Sequence, residues 1–151
     1  MVPITENEAK YLKLIYRKQR EESDRVKTTS LARSLGVKPA SVTEVLRNLS
    51  EKEFLQHELY HGVKLTERGR SRARKLLRKH RILEVLLVDL LGYLPGRACA
   101  EASELDYHVS ADLVNSICRN YGHPGVCPCG KTIFSDPVCL RKKSDREVQV
   151  E

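Results

Sequence analysis

His80 and Glu84 stand four residues apart in LLRKHRILEVLLVDLLG. On a helix that spacing puts an imidazole and a carboxylate on one face, within reach of a single metal ion. A buried hydrogen bond between the two is the other use of the same geometry. More donors lie towards the far end of the chain, where Cys127-Pro-Cys129-Gly follows His123 and precedes Cys139. Three or four thiolates from Cys99, Cys127, Cys129 and Cys139 are enough for a zinc ion or an iron–sulfur cluster, although their spacing matches no standard cluster motif. Inert packing and redox-active thiols are the remaining uses of such residues. Cys118 falls on the apolar side of a helix and reads as structural. The chain has no Gly-rich phosphate loop, no nucleophile elbow and no paired carboxylates in an evident cleft, so it is not expected to be an enzyme.

The elements that must position these donors follow from apolar spacing. Thr66 is placed to cap a long helix that ends at Gly92 and spans on the order of 40 Å. Its first half is basic, with Arg68, Arg70, Arg72, Arg74, Lys75, Arg78, Lys79 and Arg81. Its second half, ILEVLLVDLL, is apolar nearly all round, as a helix buried on several sides must be. Such a helix fits one that leaves a basic, solvent-facing module and enters a subunit interface. A short helix around Ala98–Tyr107 follows, then one capped by Ser110 with Leu113, Val114, Ile117, Cys118 and Tyr121 as its buried stripe and Gly122 and Pro124 as its stop. The Cys, Pro and Gly-rich remainder should form an ordered knuckle to about Val138, with a loose charged tail beyond.

Upstream, TTSLARSLGVKPASVTEVLRNL reads as two short helices around a tight turn at Gly36, with Thr28 as a plausible N-cap and Pro39 opening the second helix. Val42, Val45, Leu46 and Leu49 make one buried stripe, which leaves Ala40, Thr43, Glu44 and Arg47 facing outward. This is the helix-turn-helix pattern. A basic helix over Glu6–Glu22 precedes it. Phe54–Thr66, with Leu59, Gly62, Val63 and Leu65, reads as two strands around a turn, and a hairpin directly after a recognition helix is a wing. Lys64, His57 and His61 on that wing are candidates for phosphate contacts, and solvated loop residues read the same way from sequence.

Charge separates the two halves. Residues 1–82 carry 20 Lys and Arg against 10 Asp and Glu, whereas residues 83–151 carry 7 against 10. A basic front half suggests a polyanion-binding module, with solubility charge as the plain alternative, and together with the helix-turn-helix it makes double-stranded DNA the expected partner. The 151 residues, 40% hydrophobic with two Phe and no Trp, suit a helix-rich soluble protein. No apolar run approaches the roughly 20 residues needed to cross a bilayer, and MVPITENEAKYL has neither the basic start nor the apolar block of a secretory signal. A cytoplasmic location with no membrane partner is expected, and the five cysteines should then be reduced or ligated.

The order of helix, helix-turn-helix, wing, long helix and two-helix unit resembles the diphtheria-toxin-repressor family of metal-dependent transcription regulators, including its manganese-responsive branch. EAKYLKLIY, LARSLGVKPASVTEVLRNL, GVKLTERGR, LLRKHRILEVLLVDLLG and the HVS opening the last helix carry the likeness, which covers residues 6 to about 125. The resemblance is to the short form, without the SH3-like domain of some members. The expected fold is mainly α, with a winged helix-turn-helix domain over 1–72, a helical dimerisation and sensing domain over 73–138 and a tail over 139–151. The resemblance implies a homodimer that binds a palindromic operator when its effector favours the DNA-competent arrangement. The effector would be a transition metal (iron, zinc or manganese) or an iron–sulfur cluster. It puts base reading on Thr43 and Glu44, with Lys38, Pro39, Ala40, Ser41 and Arg47 alongside and Lys64 on the wing. Ser41 and Glu44 also fit a capping box that needs no DNA.

The resemblance also makes His80 and Glu84 metal ligands and sets Cys99 where many members have a third ligand, usually His. A thiolate there prefers zinc or ferrous iron. At the family's other metal position, Lys10, Lys13, Ser103 and Tyr107 replace ligands and only Asp106 survives, with His108 one residue out of register. Two ammonium groups would repel a divalent cation, which speaks against ordinary two-site sensing, and Lys10 is a candidate partner for Asp106. The residues leave two alternatives open: a winged-helix protein that has lost metal sensing, and a thiol redox-responsive regulator.

Overall fold

A computed structural model describes residues 2–58 and 60–141. The chain divides into two compact units, the first up to Leu77 and the second from Arg78. The division falls inside one continuous helix, where a sequence carries no punctuation.

In the first unit, helix α1 (Glu6–Glu21) starts at a capping box. Glu8 N–H donates to Thr5 Oγ1 at 3.1 Å, and Thr5 N–H donates to Glu8 Oε2 at 2.7 Å. Glu8 is buried because Lys52 Nζ lies 2.8 Å from both of its carboxylate oxygens. Helices α2 (Thr28–Leu35) and α3 (Pro39–Glu51) flank Gly36, whose left-handed backbone (φ +64°) ends α2. Thr28 is not the cap: Lys27 holds that position with an extended backbone, and Thr28 is the first helical residue. Pro39 opens α3 with Lys38 as its N-cap. Ser41 therefore lies inside the helix, and the capping-box role considered for Ser41 and Glu44 does not arise.

Strands β1 (Leu55–Glu58) and β2 (Gly62–Leu65) form the antiparallel wing, with Leu55 opposite Leu65 and Glu58 opposite Gly62. Leu59, read as a wing residue, lies outside the described residues. Val26 adds a short bridge to Val63 through two backbone hydrogen bonds of 2.9 Å. Gly62 is required at this crossing. Its φ is +91°, and a Cβ there would run into the Val26 carbonyl. Gly62→Ala should destabilise the chain by about 1–3 kcal/mol, read as a lower urea midpoint at unchanged slope.

Helix α4 (Glu67–Asp89) is capped by Thr66, whose Oγ1 accepts from Gly69 N–H at 3.0 Å. Its last turn closes through Tyr93 N–H to Leu87 O and Gly92 N–H to Val88 O, with Gly92 left-handed at φ +67°. The regular helix thus stops three residues before the expected glycine. The second unit continues with α5 (Pro95–Leu105), which begins three residues earlier than expected because Pro95 is preorganised for a first helical position. Then come α6 (Ala111–Asn120), capped by Ser110, and a single turn, α7 (Pro137–Leu140). Ile82, Leu83, Val85, Leu87, Ala98, Ala102, Val114, Ile117, Cys118, Cys127, Ile133 and Cys139 make its core.

Two burial expectations differ from the structure. Leu113 sits outside the buried stripe of α6, and Leu90 and Leu91, with Leu94 beyond them, are exposed. An all-round apolar stretch finds enough neighbours within one chain to cover only part of its circumference. Cys139 does not belong to a loose tail, because α7 carries it into the core.

Candidate metal centre and nucleic-acid interface

α4 presents His80 and Glu84 to the interior of the second unit, with 3% and 2% of their side chains exposed. His80 Nε2 lies 3.3 Å from Glu84 Oε1, and Cys99 Sγ, supplied by α5, lies 3.4 Å from the same nitrogen. The donor atoms of all three fall within 4.8 Å of one another. Cys129 Sγ reaches Glu84 Oε1 at 3.5 Å and hydrogen-bonds Cys99, and Cys127 also hydrogen-bonds Glu84. Bond lengths of about 2.0–2.3 Å around a tetrahedral ion set donor–donor edges of roughly 3.3–3.8 Å. The His80–Glu84, His80–Cys99 and Cys129–Glu84 separations are of that size, and the mutually close set is His80, Glu84 and Cys99.

His80 Nδ1 faces Asp106 Oδ2 at 3.0 Å, and Asp106 is itself buried. This carboxylate fixes the ring and leaves Nε2 directed at Glu84 and Cys99, as outer partners of metal-ligating histidines do. A doubly protonated His80 can donate to both carboxylates. A cation among Nε2, Glu84 and Cys99 would take the place of the Nε2 proton.

Burial alone would raise the Glu84 carboxyl. Hydrogen bonds from His80, Cys127 and Cys99, with the charge of His80, outweigh it and hold the pKa at about 2. Cys127 and Cys129 move the other way. Burial first, and the nearby Glu84 second, push both thiols up.

The cysteine knuckle is a tight hairpin. Gly130 N–H donates to Cys127 O at 2.8 Å, Cys127 N–H to Lys131 O at 2.9 Å, and Ile133 N–H to Gly125 O at 2.8 Å. Arg81 secures it from α4 by donating to Thr132 O at 2.5 Å and stacking over Phe134. The turn sends Cys127 into the core and leaves residue 129 at the surface beside Glu84.

Five of the six expected donors thus gather around Glu84: His80, Glu84 itself, Cys99, Cys127 and Cys129. Cys139 does not join them and instead lies against Cys118 and His123. The four-thiolate grouping fails because α7 packs its cysteine towards α6. At the altered family position, Ser103 Oγ donates to Cys99 O within its own helix, and Lys10 pairs with Glu6 at 3.3 Å. Within its own unit, Asp106 is engaged by His80. His108 is exposed and packs edge-on against Tyr107, with no register shift towards the donors. Asp106 was legible as a carboxylate, but its bond to a histidine 26 residues away has no signature in spacing.

In the first unit, Val42, Leu46 and Leu49 of α3 are buried, whereas Pro39, Ala40, Ser41, Thr43, Glu44 and Arg47 are exposed, as is Lys38. Thr43 Oγ1 donates to Pro39 O at 3.0 Å, so its methyl is the freer group. Arg47 has a loose ion pair with Glu51 at 3.9 Å. Lys64 of the wing has a partner within the same unit. It is half-buried and bonded to Asp24 Oδ2 at 2.7 Å. The wing also exposes His57, His61 and, at its turn, Tyr60, which is 93% exposed. Tyr60 has no signal in the residue pattern, because it stands at a left-handed turn position with φ +67° that the flanking sequence does not mark.

A basic winged helix-turn-helix followed by a helical unit with a buried His–Glu–Cys centre defines a DNA-binding regulator with a metal-binding domain. The family model for the iron-dependent repressor N-terminal DNA-binding domain matches residues 3–63. Its metal-binding and dimerisation domain matches residues 66–135. The chain belongs to the iron-dependent repressor family, the metal-dependent transcriptional regulators of diphtheria-toxin-repressor and MntR type. It is 35% identical over 107 residues to an uncharacterized HTH-type transcriptional regulator of Methanocaldococcus jannaschii, covering 71% of this chain and 86% of that protein. It is 30% identical over 97 residues to the transcriptional regulator MntR of Geobacillus kaustophilus, covering 64% and 68%. The solved manganese regulator SloR superposes with a TM-score of 0.77 at 30% identity, covering 87% of this chain and 61% of that one. These relatives are transcriptional regulators, not enzymes. Among the described residues no helix is long and apolar enough to cross a membrane.

Proposed function

We propose that this chain is a homodimeric, metal-responsive transcriptional repressor whose effector is zinc or ferrous iron, held by His80, Glu84, Cys99 and Cys129. The mutual closeness of His80, Glu84 and Cys99, within 4.8 Å of one another, carries the reading, and Cys129 joins them through its 3.5 Å approach to Glu84 Oε1. One nitrogen, one carboxylate and two sulfurs suit a borderline-soft ion, whereas manganese favours oxygen-rich sites. A single ion accounts for this mixed set better than an iron–sulfur cluster does, because Cys139 points elsewhere and Cys127 is buried against Glu84. Bound there, the ion would tie α4, α5 and the knuckle together. Asp106 keeps His80 oriented for it.

The two units divide the work. Lys38, Pro39, Ala40, Ser41, Thr43, Glu44 and Arg47 face the major groove of a duplex, where Glu can accept from cytosine N4 and Arg can hold guanine or phosphate. Tyr60 and His61 at the wing meet the neighbouring backbone, with Lys64 kept in reserve by Asp24. The exposed Leu90, Leu91, Leu94 and Leu113 supply apolar surface for a second copy, and a two-fold dimer would select a palindromic operator.

Metal-stripped protein can be used to select duplexes from a random pool with zinc, ferrous iron, manganese or no metal. Enrichment of one palindrome with zinc or iron only is expected, and equal enrichment without metal would remove the sensing role. Metal binding should also release protons. The Cys129 thiol is pushed up, and each thiol that binds as thiolate releases one proton, so Cys129→Ser should lower the slope of log zinc affinity against pH by about one. Competition titrations of both proteins between pH 6 and 8 measure this, and an unchanged slope would remove Cys129 from the ligand set.

A further inference from the structure

We propose that Cys118, His123 and Cys139 form a second metal site, a three-donor zinc site separate from the one around Glu84. Cys118 Sγ lies 3.5 Å and Cys139 Sγ 3.6 Å from the same atom, His123 Nδ1, and all three donor atoms fall within 4.8 Å of one another. Zinc–sulfur bonds of about 2.3 Å and zinc–nitrogen bonds of about 2.0 Å at tetrahedral angles give sulfur–nitrogen edges of roughly 3.6 Å. Hydrogen bonding explains the arrangement less well. An imidazole nitrogen offers one in-plane direction, which cannot serve two sulfurs at once, whereas an ion among the three donors satisfies all of them.

Three local features hold the donors in place. His123 follows the left-handed Gly122 and is itself left-handed at φ +57°, and its N–H donates to Cys118 O at 2.9 Å. That bond turns the ring back over α6. Asp136 caps the turn that delivers Cys139, its Oδ1 accepting from Val138 N–H at 2.8 Å. The Arg78 guanidinium, anchored on Asn115 Oδ1 at 2.8 Å, hydrogen-bonds Cys118, and its Nε has no hydrogen-bond partner. A cation at that position supports thiolates, and two thiolates neutralise a divalent ion. Both cysteines are buried and His123 is exposed, so the fourth coordination position falls to solvent.

Such an ion would close the segment from Cys118 to Cys139, which carries Cys127 and Cys129. That consequence, though not the site itself, rests on the sensor proposed above.

The full chain, purified anaerobically with reductant and stripped of metal, can be titrated with zinc and with cobalt, the latter read by its thiolate charge-transfer absorption. Two equivalents per chain are expected. His123→Ala, which changes an exposed residue, and Cys139→Ser should each bind one. A Glu84→Gln, Cys99→Ser double variant should lose the other equivalent. A single equivalent in the unmodified chain that survives His123→Ala, two equivalents retained by both single variants, or a Cys118–Cys139 disulfide in the anaerobic protein would each overturn the second site. Retention of both equivalents by the double variant would instead count against the Glu84 centre.

Discussion

Glu84→Gln should leave the chain folded at neutral pH and weaken zinc or iron binding at the sensor by more than about 100-fold, taking metal-dependent operator binding with it. The amide keeps the volume of a side chain only 2% exposed but removes the one anionic oxygen donor among His80, Cys99 and Cys129. Asp106→Asn provides the graded comparison. It touches no ion and acts through His80 Nδ1, so its loss should stay within the roughly 10–100-fold typical of outer-shell partners. Zinc competition for the first quantity and fluorescence anisotropy of the selected duplex for the second decide the matter. Equal losses in the two variants would mean that Glu84 only orients the site. The substitution also carries a pH signature in the metal-free protein. Glu84 is held at about 2 against an ordinary 4.5, so its contribution to stability is complete above 4.5 and fades as pH falls towards 2. Glu84→Gln should flatten that part of the acid-unfolding curve.

The second large effect belongs to the other unit. Arg47→Ala and Lys38→Ala should each weaken operator binding by roughly 10–100-fold, about 1–3 kcal/mol, with no shift in thermal midpoint. Both side chains are exposed, and the Glu51 ion pair of Arg47 is too long and too solvated to matter for stability. Salt dependence separates their roles. Loss of a phosphate contact lowers the slope of log affinity against log salt by about one, whereas loss of a base contact changes preference at one operator position. Full affinity in both variants would mean that α3 is not the reading helix.

Local pattern carried most of the fold. Pro39, Gly36, Thr66 and Ser110 act within one turn of where they stand, and caps and helix stops depend on backbone groups that are neighbours in the chain. The stripe of Val42, Leu46 and Leu49 and the i, i+4 pair His80–Glu84 were legible for the same reason: helical periodicity is a local property. Lys64 shows the limit. Its charge is visible in the sequence, but its partner Asp24 sits 40 residues away and leaves no mark in the spacing.

What the sequence by itself determined is a basic reading head joined to a helix bearing an imidazole and a carboxylate on one face, because charge and helical spacing are properties of short stretches. Only the tertiary structure decided how the five cysteines divide. The knuckle turn brings Cys127 and Cys129 to Glu84, while the Asp136-capped turn sends Cys139 to Cys118 and His123. Which sulfur meets which nitrogen depends on how separate helices pack, and packing distances across a folded core leave no trace in residue spacing.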